Sequence, residues 1–213
     1  MTDHQLTEAV ELLKSRDAKK RMTAVDMAAG LNSAGAVALL IKALQDQSWS
    51  LREYAIKKTA LAGHQAVQPL VRLLRDGVWY TRAAALQALE LIGDIAALNA
   101  VMGLIKDPNR SVAEAAHKAA LVLSRNAEKE ILYSAAEKMS AEQRGNLVDL
   151  ISKSHAALAE GLRSHLDNLP RDAAQTIIPG AGDEPDAAVR LQGLRRELKA
   201  ILRQNDRIGN EDA

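Results

Sequence analysis

Apolar residues recur along most of this chain at spacings of three and four, the mark of helices that bury one face. Leu51, Ala55, Thr59 and Leu61 share one such face, and Val67, Leu70, Val71 and Leu74 share the next. The spacing predicts two helices, A and B, with a break at Gly63 between them. The two-helix unit then returns. RMTAVDMAAGLNSAGAVALLIKAL starts at Arg21, REYAIKKTALAGHQAVQPLVRLL at Arg52 and RAAALQALELIGDIAALNAVMGLI at Arg82. A fourth copy, AEAAHKAALVLSRNAEKEIL from Ala113, has lost the arginine. The starts lie 31, 30 and 31 residues apart. Three residues into each unit stands Ala24, Ala55, Ala85 or Ala116, and eleven residues in stands a breaker or turn residue, Asn32, Gly63, Gly93 or Ser124. A period of this length belongs to stacked units, each too small to bury its own apolar face. The expected fold is all-α: a right-handed α-solenoid of stacked antiparallel helix pairs, with the four alanines between helices.

Local signals agree with this division. Asp46, Asp76 and Asp107 precede units two to four by six residues each, where an N-cap or turn residue belongs, and Ser15 holds that place in unit one. Gly63 and Gly93 suit the left-handed end of helix A. Pro69 is expected in the first turn of its helix B, where a missing N–H costs nothing. Pro108 precedes the fourth helix A.

The pattern D-x-x-W-x-x-R-x-x-A, then G, then AVQPLVRLL in residues 46–74 resembles the HEAT repeats, particularly the short bacterial kind. DGVWYTRAAALQALELIGD in residues 76–94 repeats its first half. The resemblance implies a helical solenoid that offers an extended surface to a partner. On this reading residues 1–14 are a leading helix, 15–129 four HEAT-like repeats and 130–169 a degenerate capping pair. Residues 170–186, rich in Pro and Gly, read as a flexible linker. Residues 187–205 read as a short amphipathic tail helix, with Leu191, Leu194, Leu198 and Ile201 on one face and room for self-association through them.

Composition narrows the function. Hydrophobic residues make up 47% of the chain, yet there is no Phe and only two Trp and three Tyr, so Ala, Leu, Ile and Val carry the core. Twenty-eight Lys and Arg against 27 Asp and Glu make nucleic-acid binding of the HEAT-like alkylpurine glycosylase type unexpected. Without cysteine there is no disulfide, thiolate metal site or Cys nucleophile. The first residues lack a signal-peptide pattern, and no apolar run is long enough to span a membrane. A cytoplasmic protein is expected.

Catalytic patterns are missing as well. His4, His64, His117, His155 and His165 include no i, i+4 pair, and none precedes Glu, unlike the His-Glu pairs that hold iron in the HEAT-like deoxyhypusine hydroxylases. His117 is the histidine expected to be buried. No phosphate loop or G-x-S-x-G is present. No catalytic residue, metal or cofactor is therefore assigned.

Binding residues are easier to name. Trp49 and Trp79 follow Asp46 and Asp76 by three residues, with Tyr54 and Tyr80 nearby, and such aromatics either anchor a partner or cover the next repeat. Lys42, Arg72, Arg75 and Lys106 fall on successive B helices and could line one face. Arg21, Arg52 and Arg82 are expected to pair with aspartates along the stack. The leading expectation is a non-catalytic scaffold for another protein. The alternative is an enzyme or accessory subunit, since the chain is similar in repeat type and size to the HEAT-like bilin lyase subunits.

Overall fold

The computed structural model describes residues 2–31 and 33–169. The chain divides into two units, residues 1–169 and 170–213, and the described residues belong to the first. The expected linker and tail helix, with Leu191, Leu194, Leu198 and Ile201, lie outside the described residues, as does Asn32.

Among the described residues the regular structure is all helical. A leading helix α1 (Thr2–Leu13) is followed by α2 (Ala18–Ala29) and α3 (Ala34–Ala43), then α4 (Trp49–Ala60) and α5 (His64–Asp76). The third unit is α6 (Trp79–Ile92), a 3-10 turn (Ile95–Ala97) and a short α7 (Leu98–Met102). The fourth is α8 (Arg110–Asn126) and α9 (Lys129–Glu137), and a further pair is α10 (Ala141–Ser152) and α11 (Ala156–Asp167).

Two layers result. Helices α2, α4, α6, α8 and α10 each pack on the next to form an A layer. Helices α1, α3, α5, α7 with its 3-10 turn, α9 and α11 do the same in a B layer. One continuous apolar core runs between them. This is an α-solenoid: each element touches its neighbours in the stack and in the facing layer, so every unit completes the core of the next.

The repeated alanine sets the spacing. Ala24, Ala55, Ala85 and Ala116 are all fully buried. A methyl side chain lets helix axes come closer than larger residues permit, and the flanking Leu51, Leu86, Leu89 and Leu123 fill the layer beside it without exposure.

Four of the A helices start on a polar cap, while α6 starts on Val78 without a side-chain cap bond. Asp17 accepts from the Lys19 N–H, Ser48 from Leu51 and Asn109 from Ser111 and Val112. In α10, Ser140 and Gln143 form a reciprocal capping box. At the far ends, Gly93 closes α6 in the left-handed region, at φ 72°. Gly63, at φ 55° and ψ −137°, turns the chain into α5 in a region that a side chain disfavours.

Several expectations change. Pro69 lies inside α5, not in its first turn, because the helix already begins at His64. Pro69 has no N–H to donate, so α5 lacks one donor of its hydrogen-bond ladder at that point. Ser124 does not break α8; it is buried inside the helix and donates to the Ala120 carbonyl at 2.7 Å. Leu61 does not join the face of Leu51 and Ala55, since it lies past the end of α4 and is 73% exposed. His117 is exposed, on the side of α8 away from the buried Ala115, Ala116, Ala119 and Ala120. Asp76 is the last residue of α5 and not a turn residue, because that helix runs on until only Gly77 and Val78 separate it from α6.

Replacing Ala85 with Leu forces a larger side chain into a fully buried position of the A layer and should cost about 1–3 kcal/mol. The exposed Gln87→Ala on the same helix should change stability by less than about 0.5 kcal/mol. Thermal unfolding of the two variants checks the register, and equal melting temperatures would refute it.

Candidate functional site

The inter-unit turns are organised by arginine. Arg21 and Arg52 occupy the fourth position of their A helices and reach back over the turn that precedes them. Arg21 donates to the carbonyls of Ser15 (2.9 Å) and Arg16 (3.0 Å), and Arg52 to those of Asp46 (2.7 Å) and Gln47 (3.0 Å). Arginine also reaches forward. Arg21 Nη2 donates to Asp46 Oδ1 at 3.3 Å, and its Nε lies 3.0 Å from Oδ2 as an ion contact without hydrogen-bond geometry. Arg82 places Nη1 and Nη2 at 3.0 and 3.2 Å from the two oxygens of Asp107, whose side chain is only 2% exposed. Asp46 and Asp107 in turn accept from the N–H groups of Ser48 and Asn109. The expected pairing of these arginines with aspartates or with carbonyls at helix ends is what the turns contain. They are structural, and no chemistry remains for them.

Arg52 has a different forward partner. Its guanidinium lies 4.7 Å from the centre of the Tyr80 ring and the Trp79 indole meets Tyr80 edge-on at 5.6 Å. Trp49 and Trp79 are the first residues of the adjacent helices α4 and α6, and they are 68% and 51% exposed. At least half of each indole is therefore left uncovered by the neighbouring repeats. Val78, also exposed, extends the apolar ridge beside Trp79. Tyr54 is separate from this ridge: its hydroxyl donates to Asp26 at 2.6 Å, beside the Lys58–Asp26 ion pair.

Beside this ridge lies an open groove of about 700 Å³ between α3 and α5. Its α3 wall is Ala34, Val37, Ala38 and Ile41; its α5 wall includes Pro69, Arg72, Leu73 and Asp76. Gln45 and Asp76 stand at one end, and they precede Trp49 and Trp79 by four and three residues. Chain continuity thus sets the mouth of the groove beside the turns that carry the tryptophans. Arg72 lines the groove, while Arg75 is exposed one turn further along α5. Lys106 leaves the set, since it pairs with Glu142 at 2.7 Å.

The groove residues on α3 escaped the sequence reading. The signal was present: AGAVALLIKA has a single charged residue, so it is apolar on nearly every side. A helix of that kind needs cover on more than one flank. Elsewhere, Tyr133 stacks on His165 at 4.6 Å, and His165 Nε2 contacts Glu137 at 2.6 Å. Among the described residues no group of three or more His, Asp or Glu could hold a metal ion, and no helix is long and apolar enough to cross a membrane.

Two electrostatic expectations follow. Hydrogen bonds from Lys58 and Tyr54 hold the Asp26 carboxyl below its ordinary value. Burial pushes Asp94 up, but His64 and the Ala96 N–H outweigh it and leave that carboxyl lowered too. A carboxyl lowered by folding stabilises fully above its unfolded value and loses the contribution as pH falls through the folded one. Melting temperature should therefore decline on acidification below about pH 4, and Asp26→Asn should flatten that decline. Replacing Arg82 with Met strands the Asp107 carboxylate and should cost about 3 kcal/mol, against about 1 kcal/mol for Arg52→Met, which loses bonds to carbonyls. Denaturant unfolding tests the order, and a larger loss at Arg52 would overturn it.

A search of curated proteins finds no match. Among solved structures, the chain is similar to an engineered protein at 18% identity and TM-score 0.45, covering 76% of this chain and 78% of that one. It is also similar to the complex of CpcE and CpcF of phycocyanin lyase from Nostoc sp. PCC7120, at 21% identity and TM-score 0.44, covering 76% and 63%. A designed armadillo repeat protein in complex with the peptide (KR)4 is similar at 19% identity and TM-score 0.39, covering 76% and 98%. The family model of HEAT repeats matches residues 39–124, from within α3 to within α8. Those residues lie in stacked helix pairs closed by recurring Arg turns, and they are HEAT-like repeats.

Proposed function

We propose that the protein is a non-catalytic interaction scaffold, and that a partner polypeptide seats in the α3–α5 groove and against Trp49 and Trp79. The observation that carries this reading is the exposure of both tryptophans at equivalent helix starts, in a chain with so little other aromatic surface. Indole left in water offers a large gain when a partner covers it, which is why Trp recurs among interface hot spots. The groove beside them adds apolar floor, and Gln45, Arg72 and Asp76 supply polar groups that fix orientation. Among the described residues, the most buried ion pairs close turns and orient no nucleophile or base.

Self-association through residues 187–205 is a second contact we propose on the pattern of Leu191, Leu194, Leu198 and Ile201. The mass in solution with and without residues 171–213 decides it: a dimer that becomes a monomer on truncation is expected, and a monomer in both forms rejects it.

The test of the scaffold reading is partner retention. Wild-type protein should retain a partner polypeptide from cell extract, and Trp49→Ala with Trp79→Ala should weaken that complex by several hundredfold, at about 2 kcal/mol for each of the two hot spots. The melting temperature of the double variant should be unchanged, because neither indole is part of the core. Retention by the double variant at full affinity would reject the reading. Stable uptake of bilin absorbance by the purified chain, with no retained polypeptide, would favour the bilin lyase type instead.

A further inference from the structure

A net charge near zero hides an uneven distribution. Residues 14–82 carry twelve Lys and Arg against five Asp and Glu, while residues 83–169 carry nine against eleven. Much of the excess in the first stretch is committed to the fold. Lys14 pairs with Glu11, Arg21 with Asp46, Lys58 with Asp26 and Arg82 with Asp107, and Arg52 is held by two carbonyls and the Tyr80 ring. What remains includes the two helices that wall the groove. There, Lys42, Arg72 and Arg75 are exposed, and among the described residues none of them forms an ion pair. Asp76 is the lone carboxylate on α3 and α5.

Position sharpens the point. Lys42 follows Ala38 by four residues and precedes Gln45 by three, so helical spacing sets it on the α3 rim of the groove. Arg72 lines the opposite wall and Arg75 follows it by three. Between these cations the floor is Val37, Ile41, Pro69 and Leu73. An apolar trough with a cationic rim on both sides has a definite complement.

We propose that the groove takes an acidic amphipathic peptide segment, whose aliphatic side chains rest on Val37, Ile41 and Leu73 and whose carboxylates meet Lys42, Arg72 and Arg75. The identification rests on the scaffold reading and adds the chemistry of the partner to it. Guanidinium groups suit carboxylates because two parallel N–H donors match two oxygens, and both arginines have those donors free of carboxylates. Cations at a rim raise the association rate and select against basic partners more than they add raw affinity. Nucleic acid fits less well: a phosphate backbone has no use for an apolar floor, and the groove helices carry three cations against one carboxylate, too few for a phosphate track.

The experiment uses the full chain and fluorescence anisotropy with four labelled probes. Three are synthetic 20-residue peptides with Leu at helical spacing: one with Glu at the remaining positions, one with Lys there and one with Gln. The fourth is a DNA duplex of similar length. The Glu peptide should bind about tenfold or more tighter than the Gln peptide, and the Lys peptide weakest of the three. Raising salt should narrow the gap, since rim charges are screened. Arg72→Glu with Arg75→Glu, both exposed and outside the core, should reverse the order of the Glu and Lys peptides without changing the melting temperature. Ile41→Ser should weaken all three peptides alike. Equal affinity for the Glu and Gln peptides overturns the acidic preference and leaves the scaffold reading standing. Failure of all three peptides to bind overturns both. Tight DNA binding that is lost in the double charge variant, with the peptides unaffected, overturns the proposal in favour of a phosphate ligand.

Discussion

The close approach of the A helices over a single small residue is the constraint on which the molecule depends. With Ala24, Ala55, Ala85 and Ala116 fully buried, α2, α4, α6 and α8 pack flank to flank. That spacing brings each B helix within reach of its neighbour in the stack. It also decides where the turns lie, and hence where an arginine in the first turns of helix A can reach both the loop behind it and the aspartate of the unit ahead. Change the alanine and the ladder of turns loses its register.

One missing residue accounts for the local character of the groove. Arg21 and Arg82 meet aspartates 25 residues further on, Asp46 and Asp107. Arg52 has glycine at that distance, Gly77, and its aspartate arrives one residue early, as Asp76 at the end of α5. The 30-residue interval between Arg52 and Arg82, against 31 elsewhere, is the same shortfall seen from the other side. Two consequences follow. Arg52 turns its guanidinium onto Tyr80, which seats Trp79 edge-on beside it. Asp76, not committed to a turn, stands at the groove's end with Arg72 on the same wall. A break in the repeat has thus become the place where repeat-specific surface collects.

Much of this was legible in the sequence, for a physical reason. Buried alanines, cap residues and turn arginines answer to neighbours at fixed offsets, so they recur with the repeat and can be read from it. Trp49 and Trp79 could be found the same way, but not their exposure, because the same spacing serves an indole that covers a neighbour. Pro69 and Ser124 depart from the repeat pattern because a helix boundary depends on what the turn must span, not on one breaker residue: α5 begins early after Gly63, and α8, with no glycine, runs on to Asn126. The groove lies between elements some thirty residues apart, so no local pattern announces it. Its charge escaped because a whole-chain sum averages the cationic and acidic halves away.

If the exposed tryptophans are the binding surface, the chain carries its own reporter, since Trp49 and Trp79 are its two tryptophans. Intrinsic fluorescence with iodide quenching, recorded on the free protein and on its complex with a retained partner, is the test. Emission from water-exposed indole with strong quenching is expected in the free chain, then a blue shift and protection from iodide when the partner binds. Quenching and emission that stay the same in the fully formed complex would contradict that assignment.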